Sequence, residues 1–227
     1  NADGTRLATR RADTGVVSVW DVATGDRIRE FPAPHGTESV ALTPDGSAVA
    51  APGGSRFGVQ TWDIASGKPL GVYDGHEGAI RAIRFTSDGE RMITGSDDGT
   101  ARLWGVASHE VIREFGGSAG AIRSLALDRG GRLLATGSDE SEAAIWDLET
   151  GERLQRHSHG HRPIYSLSLS PNGLRLATRT NTVRVWDLAR PSRAVFPPPV
   201  DIHTELLAVS PDGRRAVTGS RDGSADL

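Results

Sequence analysis

The chain has 227 residues, a formal net charge of -3 and no cysteine. This charge gives no basic excess for neutralising phosphates, which argues against a nucleic-acid partner, and no apolar run approaches the roughly 18 residues that a membrane span needs. Disulfides and thiolate metal sites are excluded. With 28 glycines and 12 prolines, the composition is typical of a soluble globular chain rich in turns.

Tryptophan recurs along the chain at a nearly constant spacing. The gaps between successive tryptophans are 42, 42, 42 and 40 residues, and four of the five are followed by aspartate. Glycines in the turns follow the same period. Two residue types that share one period indicate an internal repeat of about 42 residues. The tryptophans are Trp20, Trp62, Trp104, Trp146 and Trp186, and the glycines are Gly4, Gly46, Gly89, Gly131, Gly173 and Gly213.

The segment 79–115 shows the elements within one repeat. Four short apolar runs follow one another, at 80–86, 92–94, 101–104 and 111–115. The first two turns between them contain Asp-Gly, which accepts the positive backbone angles of tight hairpins. No segment has an apolar stripe of helical period. The sequence therefore predicts an all-β chain whose units are four-stranded antiparallel meanders.

In chain order the period divides the sequence into units of approximately 1–34, 35–74, 75–116, 117–159, 160–200 and 201–227. One meander cannot bury both faces alone, so the units must stack, and radial stacking leaves only short edges. The first and last units are partial. We expect a single domain with five to six blades of an incomplete ring of six or seven, or a ring that closes between copies.

One unit matches a known family almost position for position. Asp74-Gly75-His76, Thr86-Ser87-Asp88-Gly89, Thr94-Gly95-Ser96-Asp97-Asp98-Gly99 and Leu103-Trp104 resemble the WD repeat. The resemblance covers essentially the whole chain. It implies a β-propeller, a fold that hosts many unrelated functions.

The resemblance also implies a role for His76, Thr94, Asp98 and Trp104, which correspond to a buried hydrogen-bonded network. An acid, a histidine and a hydroxyl are also the parts of a nucleophilic triad. A catalytic group is not repeated and eroded from unit to unit, so we predict a structural network and no catalytic residue. The partial copies are His35 with Ala51; Ser118, Thr136 and Glu140; His161 with Thr178; and His203, Thr218 and Asp222.

Two further motifs have alternative interpretations. His157, His159 and His161 alternate and would share one side of a strand, as a zinc or nickel site requires. His161 fills the Gly-His position of its unit and no acid or thiol is adjacent, so we expect a surface loop, no metal and no cofactor. Phe196–Pro199, with Pro191, is either a polyproline docking ligand or the end of an edge strand, which we favour.

In this family, partners commonly bind the narrower face of the ring. Matched positions there are the residue that opens each inner strand and the residue just before the acid of the turn between the second and third strands. Arginine and tyrosine are enriched at interfaces, so mixed charges with a tyrosine favour a protein or peptide partner over a polyanion. We call these positions the rim: Glu38, Arg81, Arg123, Tyr165, Glu205, Asp97, Asp139 and Arg221.

The preferred function is a non-catalytic interaction scaffold or sensor in a larger cytoplasmic signalling or regulatory protein. A strong excess of arginine over lysine, which occurs once at Lys68, suggests a bacterial source. The alternatives are a hydrolase on a propeller scaffold and a structural fragment that associates through open strand edges. A hydrolase needs inward-facing acids or histidines, whereas the inner strands carry Val40, Leu42, Ile83, Phe85, Leu125, Leu127, Leu167, Leu169 and Val209.

Overall fold

The protein was analysed as a computed structural model. It describes residues 1–11, 13–33, 39–116, 120–190 and 210, and of three further strands, 204–209, 216–220 and 225–226, the backbone. Within these ranges the chain forms antiparallel β-sheets and no helix. The predicted all-β fold class is confirmed.

The first two sheets follow the chain as meanders, each strand paired with the next one. The first sheet has three described strands and the second has four. The strands of the first sheet are β1 (Arg6–Arg10), β2 (Val17–Asp21) and β3 (Arg27–Phe31). Those of the second sheet are β4 (Ala41–Leu42), β5 (Ala48–Pro52), β6 (Val59–Asp63) and β7 (Pro69–Tyr73).

The third and fourth sheets are the most complete meanders and contain four strands each. The third consists of β8 (Ile80–Phe85), β9 (Arg91–Ser96), β10 (Ala101–Gly105) and β11 (Val111–Phe115). The fourth consists of β12 (Ile122–Leu127), β13 (Leu133–Ser138), β14 (Glu142–Asp147) and β15 (Arg153–Ser158).

The fifth and sixth sheets have three described strands each. The fifth is formed by β16 (Ser166–Leu169), β17 (Arg175–Arg179) and β18 (Val183–Asp187). The sixth is formed by β19 (Thr204–Val209), β20 (Ala216–Ser220) and β21 (Ala225–Asp226). Contacts divide the chain into two compact units, Asn1–Glu114 and Phe115–Leu227.

A short turn after the tryptophan strand closes each outer hairpin. In the fourth sheet the Asp147 carboxylate accepts hydrogen bonds from the backbone N–H of Glu149 (3.0 Å) and of Thr150 (2.8 Å). Gly151 then adopts a φ of 76°, a left-handed conformation that costs glycine little. The aspartate of each Trp-Asp pair thus fixes the direction of the outer strand. In the third sheet Gly105 replaces the aspartate and His109 takes the left-handed position with a φ of 60°.

The second strand of each complete sheet is the most buried element. All five residues of β5 are buried, as are the last five of β9 and of β13. Each of these strands is covered on both faces, so its buried residues are consecutive rather than alternating. The outer strands expose every second residue or more. Within each compact unit the core therefore lies between successive sheets.

Serine side chains connect neighbouring inner strands within each of the two compact units. The Ser39 hydroxyl accepts a hydrogen bond from the backbone N–H of Ile83 at 3.0 Å. The Ser124 hydroxyl does the same for Leu167 at 3.1 Å. Both bonds are buried, so each satisfies an N–H group that would otherwise be costly. They hold neighbouring inner strands in register close to the first residues of these strands.

Candidate functional site

The polar network predicted around Trp104 lies in the third sheet and is formed by side chains from β9, β10 and the adjacent turns. The Trp104 indole N–H donates to the Thr94 hydroxyl at 2.8 Å. Thr94 Oγ1 lies 2.7 Å from His76 Nε2, and His76 Nδ1 lies 2.7 Å from Asp98 Oδ2. Since the indole can only donate, the consistent arrangement has Thr94 donating to Nε2 and Nδ1–H donating to the carboxylate.

Electrostatics keep this network in one protonation state. Burial raises the pKa of Asp98, but hydrogen bonds from Thr100, His76 and the backbone N–H of Glu77 outweigh it and lower the pKa to about 2. Burial lowers the pKa of His76, against the opposing effect of Asp98. At neutral pH the carboxylate is therefore charged and the imidazole neutral. Thr94 is fully buried, so its hydroxyl is not accessible to a substrate, and the network ties strands together.

The tryptophan–threonine bond of this network recurs in other sheets. The indole N–H donates to Thr9 at 2.7 Å in the first sheet and to Thr136 at 3.0 Å in the fourth. In the fifth sheet Trp186 donates to Thr178 at 3.0 Å. A contact repeated in four sheets has a structural role, because catalysis needs one site and not several copies.

The histidine of the fifth unit is not the one that the sequence predicted. Thr178 Oγ1 lies 2.7 Å from Nε2 of His159, whereas His161 is exposed. His157 and His159 are buried, so the expected surface loop of three histidines is also wrong. The turn 180–182 is two residues shorter than the matching turn 96–100, and it lacks an acid equivalent to Asp98. No cluster of three or more potential metal ligands occurs in the described part of the chain.

Four of the predicted rim residues form two matching ion pairs. Arg81 donates through Nε and Nη2 to the two oxygens of Asp97, at 2.8 and 2.5 Å. Arg123 makes the same two contacts with Asp139, both at 2.7 Å. The side chains of both pairs are between 22% and 33% exposed. Each pair joins the start of an inner strand to the turn between the second and third strands through two parallel charged hydrogen bonds.

Tyr165 occupies the same position in the fifth unit and is 50% exposed. The Arg179 guanidinium lies over its ring at 5.4 Å from the centroid. Arg179 stands where the third and fourth units carry Gly95 and Gly137. Arg179 is not among the residues predicted for the rim. The sequence feature that could have marked Arg179 is the pentapeptide Arg-Leu-Ala-Thr-Arg, which occurs at both 6–10 and 175–179.

The remaining predicted positions fall outside the described side chains. Glu38 and Arg221 lie outside the described residues, and of Glu205 only the backbone is described. The partial network residues His35, Ser118, His203 and Asp222 and the proline-rich stretch 191–199 also fall outside. The apolar inner strands are described for the second to fifth units, and there Ile83, Leu125, Leu167 and Leu169 are buried.

These features define a class of protein: a repeat protein built from four-stranded antiparallel propeller blades that are held by tryptophan–threonine hydrogen bonds. The family model "WD domain, G-beta repeat" matches residues 67–105, 109–147, 152–187 and 203–225. The chain belongs to this WD40 family. No curated protein matches the chain.

Membership of the WD40 family indicates the general function of the chain. WD40 repeats are generally protein-interaction scaffolds that bind proteins or peptides, and their domains are typically non-catalytic. In the residues that the structure describes, no helix is long and apolar enough to cross a membrane.

Proposed function

We propose that this chain is a non-catalytic platform that binds a protein or peptide at the rim. In the second compact unit the contact residues are Tyr165 and Arg123, the latter with its partner Asp139. The observation that carries the proposal is the half-exposed Tyr165 ring, oriented by Arg179. A large aromatic side chain with one polar tip contributes much contact area at low entropic cost. The Arg123–Asp139 ion pair of the same compact unit adds direction, since charged groups at an interface select among partners.

The ion pairs bear on how such a partner binds. In both pairs the arginine is already bonded to a carboxylate. A partner therefore has to complement both the positive and the negative group of a pair, and it gains little by displacing the carboxylate. This arrangement supports recognition of a polar protein surface. It gives no support to a polyanion such as nucleic acid, because the positive charges are compensated where they lie.

A second part of the proposal concerns the larger protein and the cell compartment in which the chain acts. We propose that the platform serves a larger bacterial signalling or regulatory protein in the cytoplasm; the arginine-rich composition supports the bacterial source. Any enzymatic activity would then belong to another part of that protein. Association of copies through free strand edges belongs to the same proposal.

The test is affinity capture with the full-length protein, followed by mass spectrometry. One variant removes the aromatic anchor, Tyr165→Ala. A second exchanges the charges of one pair, Arg123→Glu with Asp139→Arg, which retains an ion pair but reverses its direction. A third, Arg132→Ala, changes an exposed arginine in the turn at the opposite end of β12 and is the control.

We expect the first two variants to lose the same specific partner and the control to retain it, with unchanged circular dichroism for all three. Retention of that partner by both rim variants would place binding elsewhere. Loss with the control as well would indicate that the fold, and not the rim, is affected.

A further inference from the structure

An aromatic ring on each outer strand packs against the tryptophan of the following sheet. This contact is the main apolar connection between the edge of one sheet and the centre of the next, and it recurs within both compact units. The ring centroids lie 5.6 Å apart for Phe31 and Trp62, 5.9 Å for Tyr73 and Trp104, 5.9 Å for Phe115 and Trp146, and 4.5 Å for His157 and Trp186.

Histidine replaces phenylalanine or tyrosine at the connection between the fourth and fifth sheets. His157 and His159 are both buried and both contact Trp186, with centroid distances of 4.5 and 5.3 Å. Trp104 is also contacted by two rings, Tyr73 and His76, but at Trp186 both contacting rings are imidazoles. Of the four connections, this one alone has a titratable ring in the neutral pH range.

The groups that face these imidazoles offer little compensation for a positive charge. Gln155 Oε1 lies 3.2 Å from His157 Nε2, and Arg184 on β18 disfavours a second positive charge near His159. Glu142 on β14 is engaged by Arg156 at 2.8 Å and by Arg153 at 3.6 Å. Nδ1 of His159 has no hydrogen-bond partner among the described residues.

His76 in the third sheet provides the contrast within the same chain. It is equally buried and also bonded to a threonine, but Asp98 holds its second nitrogen at 2.7 Å. In the fifth unit the shortened turn 180–182 contains no carboxylate. Burial lowers the pKa of His157, and burial, Arg184 and His157 together lower the pKa of His159 to about 4.

We propose that the contact between the fourth and fifth sheets is an acid-sensitive joint, in which protonation of His157 and His159 separates β15 from Trp186. The packed state excludes the proton and the open state accepts it. The joint is therefore closed above the ordinary pKa of histidine and opens as pH falls below about 6.5. This inference does not depend on binding at the rim.

The size of the effect follows from His159. With a pKa near 6.5 in the open state and about 4 in the packed state, the equilibrium constant for opening rises about 20-fold between pH 7 and pH 5. We expect opening to increase amide exchange in β15 and in β16 to β18, whereas β8 to β11 contain no histidine.

Hydrogen exchange measured by mass spectrometry on the full chain tests the joint, at pH 7 and pH 5 after correction for the intrinsic rates. We expect peptides from β15 to β18 to lose about 20-fold or more in protection relative to peptides from β8 to β11. His157→Phe restores the ring that Phe31 and Phe115 provide, and we expect it to reduce this loss. His161→Gln, at an exposed histidine, is the matched control and should behave as wild type.

An equal loss of protection in all sheets, or a His157→Phe variant as acid-sensitive as wild type, would overturn the proposal. Proton NMR titration of the histidine ring signals gives a second measurement that requires no substitution. Values near 6.5 for both His157 and His159 in the folded chain would also overturn it.

Discussion

Thr94 is the residue on which the network of the third sheet depends. Its single hydroxyl accepts from the Trp104 indole and lies within hydrogen-bond distance of His76. All three side chains are buried, so none of the polar atoms can turn to water if the hydroxyl is lost. The energetic weight of such a group comes from the cost of leaving its partners unpaired.

Replacing Thr94 with valine keeps the shape of the side chain and removes the hydroxyl. We expect the free energy of unfolding to fall by about 2 to 4 kcal/mol, because two buried polar atoms lose their partner. Urea unfolding followed by tryptophan fluorescence measures the change. Thr24→Val, at an exposed turn threonine, should change it by less than about 0.5 kcal/mol, and equal effects of the two variants would contradict this role for Thr94.

Asp98 gives the network its pH dependence. Its pKa in the folded chain is about 2, below the ordinary 3.8, so its contribution to stability is fully present above about pH 3.8 and is lost as pH falls through 2. Asp98→Asn should therefore lower stability at pH 7, and the gap from wild type should narrow below pH 4. Urea unfolding at pH 7, 4 and 3 measures the gap. A gap that stays constant over this range would show that the charge of Asp98 is not involved.

At the level of strands and sheets, the sequence predicted the meander units and the pairing of consecutive strands. The markers were Asp-Gly turns, short apolar runs and the Trp-Asp pairs, all of which act locally. The sequence did not predict the position of His159. The shortened turn 180–182 and an extra residue before β16 shift the alignment of this unit with the others, and the Gly-His motif at 160–161 makes His161 look like the matching histidine. The sequence also could not predict the contacts of Arg81 with Asp97, since 16 residues separate the partners and only the folded hairpin brings them together.

The serine bridges between inner strands make a prediction at this scale. In Ser124→Ala the buried N–H of Leu167 loses its acceptor, at a cost of about 1 to 3 kcal/mol. We expect a lower protection factor for the Leu167 amide in particular, measured by hydrogen exchange with NMR detection. Ser108→Ala changes an exposed turn serine and should leave that amide unchanged. Unaltered protection of Leu167 in Ser124→Ala would mean that the strands are held by packing alone.

Across the whole molecule, the outer strands differ in how they protect their free edges. Three of the four outer strands described, β3, β11 and β15, carry charged residues, as exposed edges usually do. The strand β7 reads Pro-Leu-Gly-Val-Tyr and carries none. Its Leu70 and Val72 side chains are 54% and 38% exposed. This edge is therefore the most favourable place for copies of the chain to associate.

A double substitution in β7, Leu70→Lys with Val72→Lys, tests association of the whole chain. We expect the wild-type mass in static light scattering to rise with concentration between about 1 and 100 µM, because an uncharged apolar edge can pair with another copy. The lysines should suppress that rise through repulsion and desolvation. Ile28→Lys adds a charge to β3, which already carries Arg27 and Arg29, and should change the mass little. A wild-type chain that stays monomeric over this range would refute association, whereas a rise that persists in the double variant would assign it to another edge.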